Sequence, residues 1–202
     1  MKMKKLLITF MTLGVVMFTN CKKEEILEPT KNYTIETVEL GGVLYNKISG
    51  TIDENVTFTN DVDWLLSGGV LVSNGATLSI DAGTNIVADE STTAFLSIQQ
   101  GSKINAVGTS TSPIIFTSPS EQPGSWGGII VNGYADINTG LTAEGEGGTG
   151  TYGGSNDSDN SGTIKYVRVE YAGKILGTDN ELNGFSFNGV GSGTVVDHIQ
   201  AY

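Results

Sequence analysis

Arg168, Glu170, Asp197 and His198 are the outward-pointing ionisable residues that fall near one another in strand-like segments. A lyase acting on acidic sugars needs a cation to hold the substrate carboxylate and a lysine or arginine as base. A hydrolase needs paired carboxylates in acid, base or nucleophile roles. The four residues share a face only if their stretches of chain are suitably aligned. The simpler reading makes Arg168 and Glu170, two apart on one strand face, a surface ion pair, with His198 an ordinary surface residue. On that reading no residue is catalytic.

Two other spacings invite chemistry. Asp157-Ser158-Asp159-Asn160-Ser161-Gly162 matches the opening of a calcium loop, with oxygen ligands at Asp157, Asp159 and Ser161 before a turn glycine. The position of the closing glutamate is Arg168 and a strand replaces the exiting helix, so an EF-hand is excluded. A looser calcium site is the one cofactor the sequence suggests, and a solvated acidic loop is its bland counterpart. Gly145-Glu146-Gly147-Gly148-Thr149-Gly150 satisfies G-x-G-x-x-G. No strand precedes it, no helix follows, and Glu144 and Glu146 would repel a pyrophosphate, so no nucleotide is expected.

Composition narrows the field further. The 202 residues carry 22 acidic and 11 basic side chains, a net charge of −11. That acidity argues against nucleic acid and anionic lipid surfaces as partners. One cysteine, Cys21, excludes a disulfide framework and a thiolate zinc site. There is no G-x-S-x-G nucleophile elbow and no zinc-protease motif. The 28 glycines show no Gly-X-Y period and only four prolines accompany them, so collagen is excluded.

The first 20 residues read as an address. Lys2, Lys4 and Lys5 precede an apolar run from Leu6 to Phe18, too short to span a membrane but suited to a secretory signal. Phe18-Thr19-Asn20-Cys21 resembles the lipobox of bacterial lipoproteins, although Phe18 and Asn20 depart from the commoner Leu-x-Gly/Ala-Cys pattern. The resemblance implies lipidation of Cys21, a membrane partner through that anchor, and an outer-membrane location. Cleavage would remove three lysines and no acid, leaving 8 basic against 22 acidic residues. Lys22-Lys23-Glu24-Glu25 looks like a short signal for display at the cell surface, or a plain charged linker. Residues 21–49 read as a lipidated tether and lead-in.

What remains must position any site. From residue 50 onward short β-branched and aromatic runs recur between Gly, Asn, Asp and Ser, predicting strands and turns. Residues 70–80 (VLVSNGATLSI) align with 96–106 (LSIQQGSKINA) at an offset of 26, and Ile129 and Val131 fall on Val70 and Val72 at an offset of 59. Alternating residues face one side, so Val70, Val72, Leu78, Ile80, Leu96, Ile98, Ile104, Ile129 and Val131 are predicted to line one interior. A repeat of this length, with glycine corners, predicts an all-β solenoid. Val167, Val169 and Tyr171 are expected to point inward on a later strand, and residues 138–162 form the longest irregular, acidic, glycine-rich loop.

Residues 75–86, 101–118, 124–133, 159–173 and 180–200 together resemble a pectin-lyase-like family of bacterial surface lipoproteins. The resemblance covers residues 50–202 and implies a right-handed parallel β-helix, with Trp126 packed at a corner beside Gly127 and Gly128. It is nearly silent on activity. The expected function is a non-enzymatic envelope module, either structural or binding a polysaccharide, matrix or another surface protein through its outer face and the 138–162 loop. Trp64, Trp126, Tyr134, Tyr152 and Tyr171 are the candidate stacking surfaces. The alternative is a polysaccharide lyase or glycoside hydrolase. Because Val195 to Tyr202 reads as a strand in mid-course with no polar cap after it, further coils are expected.

Overall fold

A computed structural model describes residues 31–202. The expected signal sequence, Cys21 and the first part of the expected tether lie outside the described residues. The strands run in order β1 (Tyr33–Leu40), β2 (Val43–Ile52), β3 (Val56–Phe58), β4 (Asp63–Val72), β5 (Thr77–Ile80) and β6 (Asn85–Ala88). They continue as β7 (Phe95–Ile98), β8 (Lys103–Val107), β9 (Ile114–Thr117), β10 (Ile129–Asn132), β11 (Ala143–Glu144) and β12 (Thr151–Tyr152). The last are β13 (Gly162–Val169), β14 (Ile175–Gly177), β15 (Asn180–Glu181), β16 (Phe185–Asn188) and β17 (Val195–Ala201).

Parallel pairing sorts the main strands into three faces of a β-helix. The first stacks β2, β4, β6, β9, β13 and β17 through Trp64↔Ile86, Ile86↔Phe116, Val169↔Phe116 and Val167↔Ile199. The second runs through the later half of β2 and of β4, then β7, β10 and β16, with Val70↔Leu96, Ile129↔Leu96 and Ile129↔Phe185 in register. The third stacks β3, β5, β8, β13 and β17, with Leu78↔Ile104 and Ile104↔Gly162. Long strands such as β4 and β13 bend across two faces. Both alignments read from the sequence, at 26 and at 59, are therefore observed rungs.

The nine interior residues expected from the alternation are all buried. Aromatic rings extend the stack: Phe58 lies on Trp64 at 4.0 Å between centroids, and Phe116 beside Trp126 at 6.1 Å. Trp126 donates its indole N–H to the Glu170 carbonyl at 2.8 Å. Its neighbour Gly128 has φ +78°, and a β-carbon there would collide with the carbonyl oxygens of Asn183 and Gly184. Trp64 and Trp126 are thus core residues and present no stacking surface. Tyr171 departs from its expected inward position. Its φ of +59° ends the alternation after the buried Val169 and leaves the ring half-exposed beside Tyr202.

The solenoid begins earlier than residue 50. β2 is already its first rung, paired in parallel with β4 from Tyr45↔Asp63 onward. β1 folds back antiparallel on β2, so the lead-in is a hairpin from Tyr33 onward. The long loop also shifts: it leaves the corner after β10 at residue 133 and returns at 161, and it carries the β11–β12 hairpin and a single 3₁₀ turn, Glu146–Gly148.

Candidate functional site

The four ionisable residues of the sequence fall into two pairs on one side of the helix. Arg168 lies on the first-face half of β13, and its Nε sits 2.6 Å from Oε1 of Glu170, although the N–H is not aligned for a hydrogen bond. Asp197 and His198 lie on β17, where Asp197 Oδ1 is 2.6 Å from His198 Nδ1 and Asp197 Oδ2 is 2.8 Å from Lys165 Nζ. The hydrogen bond from Lys165 holds the Asp197 carboxyl below the usual carboxylate range, and the same contact pushes the Lys165 ammonium up. The His198 ring lies against Tyr166 at 4.4 Å between centroids. Both residues occupy left-handed backbone, φ +51° and +50°, where the chain turns from the third face to the first.

A shallow groove of about 210 Å³ contains Arg168, His198, Tyr166 and Gln200, and a neighbouring one contains Arg168, Glu170, Tyr171 and Tyr202. Arg168 and His198 therefore border one groove, while Glu170 belongs to the next. Glu170 pairs with the guanidinium at 2.6 Å, so Arg168 is engaged in an ion pair at the edge of the groove. The Asp–His contact is the arrangement that orients an imidazole for base chemistry. No carboxylate lines the groove with His198 among the described residues.

The calcium-like motif is tied up in local structure. Ser161 Oγ donates to Asp159 Oδ2 at 2.9 Å, and the Asp157 carboxylate accepts the Asp136 N–H at 3.2 Å. The carbonyls of Asp157 and Asp159 accept the backbone N–H groups of Ser192 and Gly193. Among the described residues no three Asp, Glu, His or Cys side chains converge as a metal-binding group. These residues fasten the end of the excursion to the turn after β16.

A more enclosed groove of about 260 Å³ lies on the outer side of the second face, under two excursions that meet above it. Its floor is Ile130, Ser186 and Asn188. One wall, from the 133–161 excursion, brings Glu144, Glu146, Thr149 and Tyr152, and the other brings Glu181, Leu182 and Asn183. The two walls touch where Gly147 N–H donates to Asn180 Oδ1 at 3.1 Å. The excursion is pinned to the floor through one carbonyl: Thr149 O accepts Ser97 Oγ at 2.7 Å, Gln99 Nε2 at 2.8 Å and Asn132 Nδ2 at 3.0 Å. Asn132 is fully buried, so the clamp is dry and each lost bond is costly.

With this geometry in place, comparison with known proteins is informative. A family model described as a pectate-lyase-like beta helix domain matches residues 50–202. The chain belongs to that family. No curated protein and no solved structure matches it. Family membership accounts for the three-faced helix and leaves the chemistry to the side chains of this chain. In this pectate-lyase-like helix the sequence singled out residues 138–162, most of the excursion, and Tyr152. It missed Glu181, Asn183, Ser186 and Asn188, whose only signal was the Asn-Gly punctuation at 183–184 and 188–189.

Proposed function

We propose that this protein is a lipid-anchored envelope β-helix that binds a neutral glycan in the groove over its second face and does not cleave it. The observation that carries the reading is the lining of that groove. It offers Tyr152 as a ring to stack on, with Glu144, Glu146 and Glu181 as acceptors for sugar hydroxyls, and amide and hydroxyl groups from Asn183, Asn188 and Ser186. No lysine, arginine or histidine lines it among the described residues. An acidic polymer entering it would meet only like charge, within a chain whose net charge is −11. The anchoring part of the proposal is supported by Cys21 and its lipobox-like context, and an outer-membrane location goes with it. Immobilised neutral and acidic polysaccharides test the binding. Retention on a neutral polymer that falls at least ~10-fold in Tyr152→Ala, with the melting temperature unchanged, supports it. Equal retention of the variant, or preference for the acidic polymer, contradicts it.

The second reading, a lyase or hydrolase, is favoured by one contact. The 2.6 Å approach of Asp197 to His198 beside Arg168 is an orientation a general base uses. It would work in the more open groove on the first face and leave the enclosed groove without a role.

A further inference from the structure

We infer that the tip of the β1–β2 hairpin is a second membrane contact, inserting its apolar side chains into the lipid surface to which Cys21 would be anchored. This rests on the lipid-anchor reading above. The tip is Leu40-Gly41-Gly42-Val43-Leu44, with Gly41 and Gly42 at φ +60° and +84°, the double left-handed turn that makes a tight, rigid hairpin end. Leu40, Val43 and Leu44 are 50 %, 44 % and 57 % exposed, an uncommon concentration of apolar surface on five residues. Val43 and Leu44 have no partner in β4, whose pairing begins at Tyr45, so the tip projects past the first coil. Leu40 and Val43 are direct cross-strand partners and share a face with Val38 and Tyr45, the next such pair.

Two occupants compete for such a surface, a bilayer and a second copy of the chain. Edge pairing through β1 would set the exposed Glu36 and Glu39 of one copy near those of the other, and three of the hairpin's four exposed large apolar side chains lie at the turn, with Ile35 the one along the edge. That distribution fits lipid. The reach is sufficient: the twelve residues from Cys21 to Asn32 span at most about 40 Å. β1 itself separates Tyr33 from the tip by only about 24 Å. Three side chains bind a bilayer weakly alone, so the contact would act by orienting a protein already anchored.

The test uses the chain from Cys21 onward, coupled through that thiol to a maleimide lipid in phosphatidylcholine vesicles, so that acylation in the cell does not enter the result. Both native tryptophans are buried, which leaves Val43→Trp as a clean reporter. A blue-shifted emission quenched by shallow doxyl lipids, and lost when Leu40→Ser and Leu44→Ser are added, is the expected result. Emission unchanged from solvent-exposed tryptophan overturns the inference. A blue shift without vesicles that grows with protein concentration also overturns it, in favour of a second copy. Absence of a lipidated Cys21 peptide from cells would instead refute the anchor itself.

Discussion

Asn188 donates from Nδ2 to Oδ1 of Asn132 at 3.0 Å, and the two are register partners on neighbouring strands of the second face. Asn132 passes the chain on, donating to the carbonyl of Thr149 in the excursion that walls the groove. Asn132 thus links floor and wall of the site, sharing the Thr149 carbonyl with Ser97 and Gln99.

Replacing Asn132 with Ala should therefore act on both stability and binding. Removing a buried partner leaves Asn188 and Thr149 with fewer bonds, which costs about 1–3 kcal/mol. Asn188→Ala, at a half-exposed position, should cost less. Denaturant titration of the two variants checks the order. Equal stabilities would mean the ladder is not what holds the wall.

Core packing gives a sharper expectation. Leu96 is fully buried and pairs with Val70 on one side and Ile129 on the other. Leu96→Ala should lose about 2–5 kcal/mol through the cavity it opens. Gly128→Ala should fail to yield stable protein, because its new methyl group meets two carbonyl oxygens on a left-handed backbone. A soluble Gly128→Ala protein with native melting behaviour would refute the packing described at that corner.

Acid sensitivity should map to the corner after β6. Burial pushes the Asp89 carboxyl up, but hydrogen bonds from Ser91 and Ser67 outweigh it and the group sits below its ordinary range. Glu90 is likewise lowered, by Ser118 and Ser120. Because both folded values are depressed, their stabilising effect is present above the unfolded carboxylate range, near pH ~4, and is lost as pH falls through the folded values. Asp89→Asn with Glu90→Gln should lower stability at pH 7 and flatten its decline in acid. An unchanged acid limb would show that other carboxylates govern it.

The repeat was legible because a solenoid writes its interior into short, regular offsets: Val70, Leu96 and Ile129 stand on one rung column and can be aligned by eye. Trp126 at a corner beside Gly127 and Gly128 was implied by the family resemblance, and its burial agrees. Tyr171 was not legible, because a left-handed residue breaks the period-2 rule without a glycine to announce it. The groove was half legible. Its excursion interrupts the repeat and so stands out, but Glu181 and Asn188 come to it from other coils, and no local pattern records which loops meet above a face. The pairing of β1 with β2 escaped notice because the Gly41-Gly42 turn lay in what reads as a tether.

Lipidation of Cys21 is checked separately. Mass spectrometry of the membrane fraction should yield an acylated peptide beginning at Cys21 and none from residues 1–20, and Cys21→Ala should leave the protein soluble. A variant that stays as firmly in the membrane would exclude the anchor.

The central claim is binding without cleavage, and the most direct measurement is product formation from a panel of neutral and acidic polysaccharides incubated with the full-length protein, with and without calcium. The account predicts retention on a neutral polymer and neither new reducing ends nor unsaturated products. Products abolished by Arg168→Ala or His198→Ala would contradict it and make the first-face groove an active site.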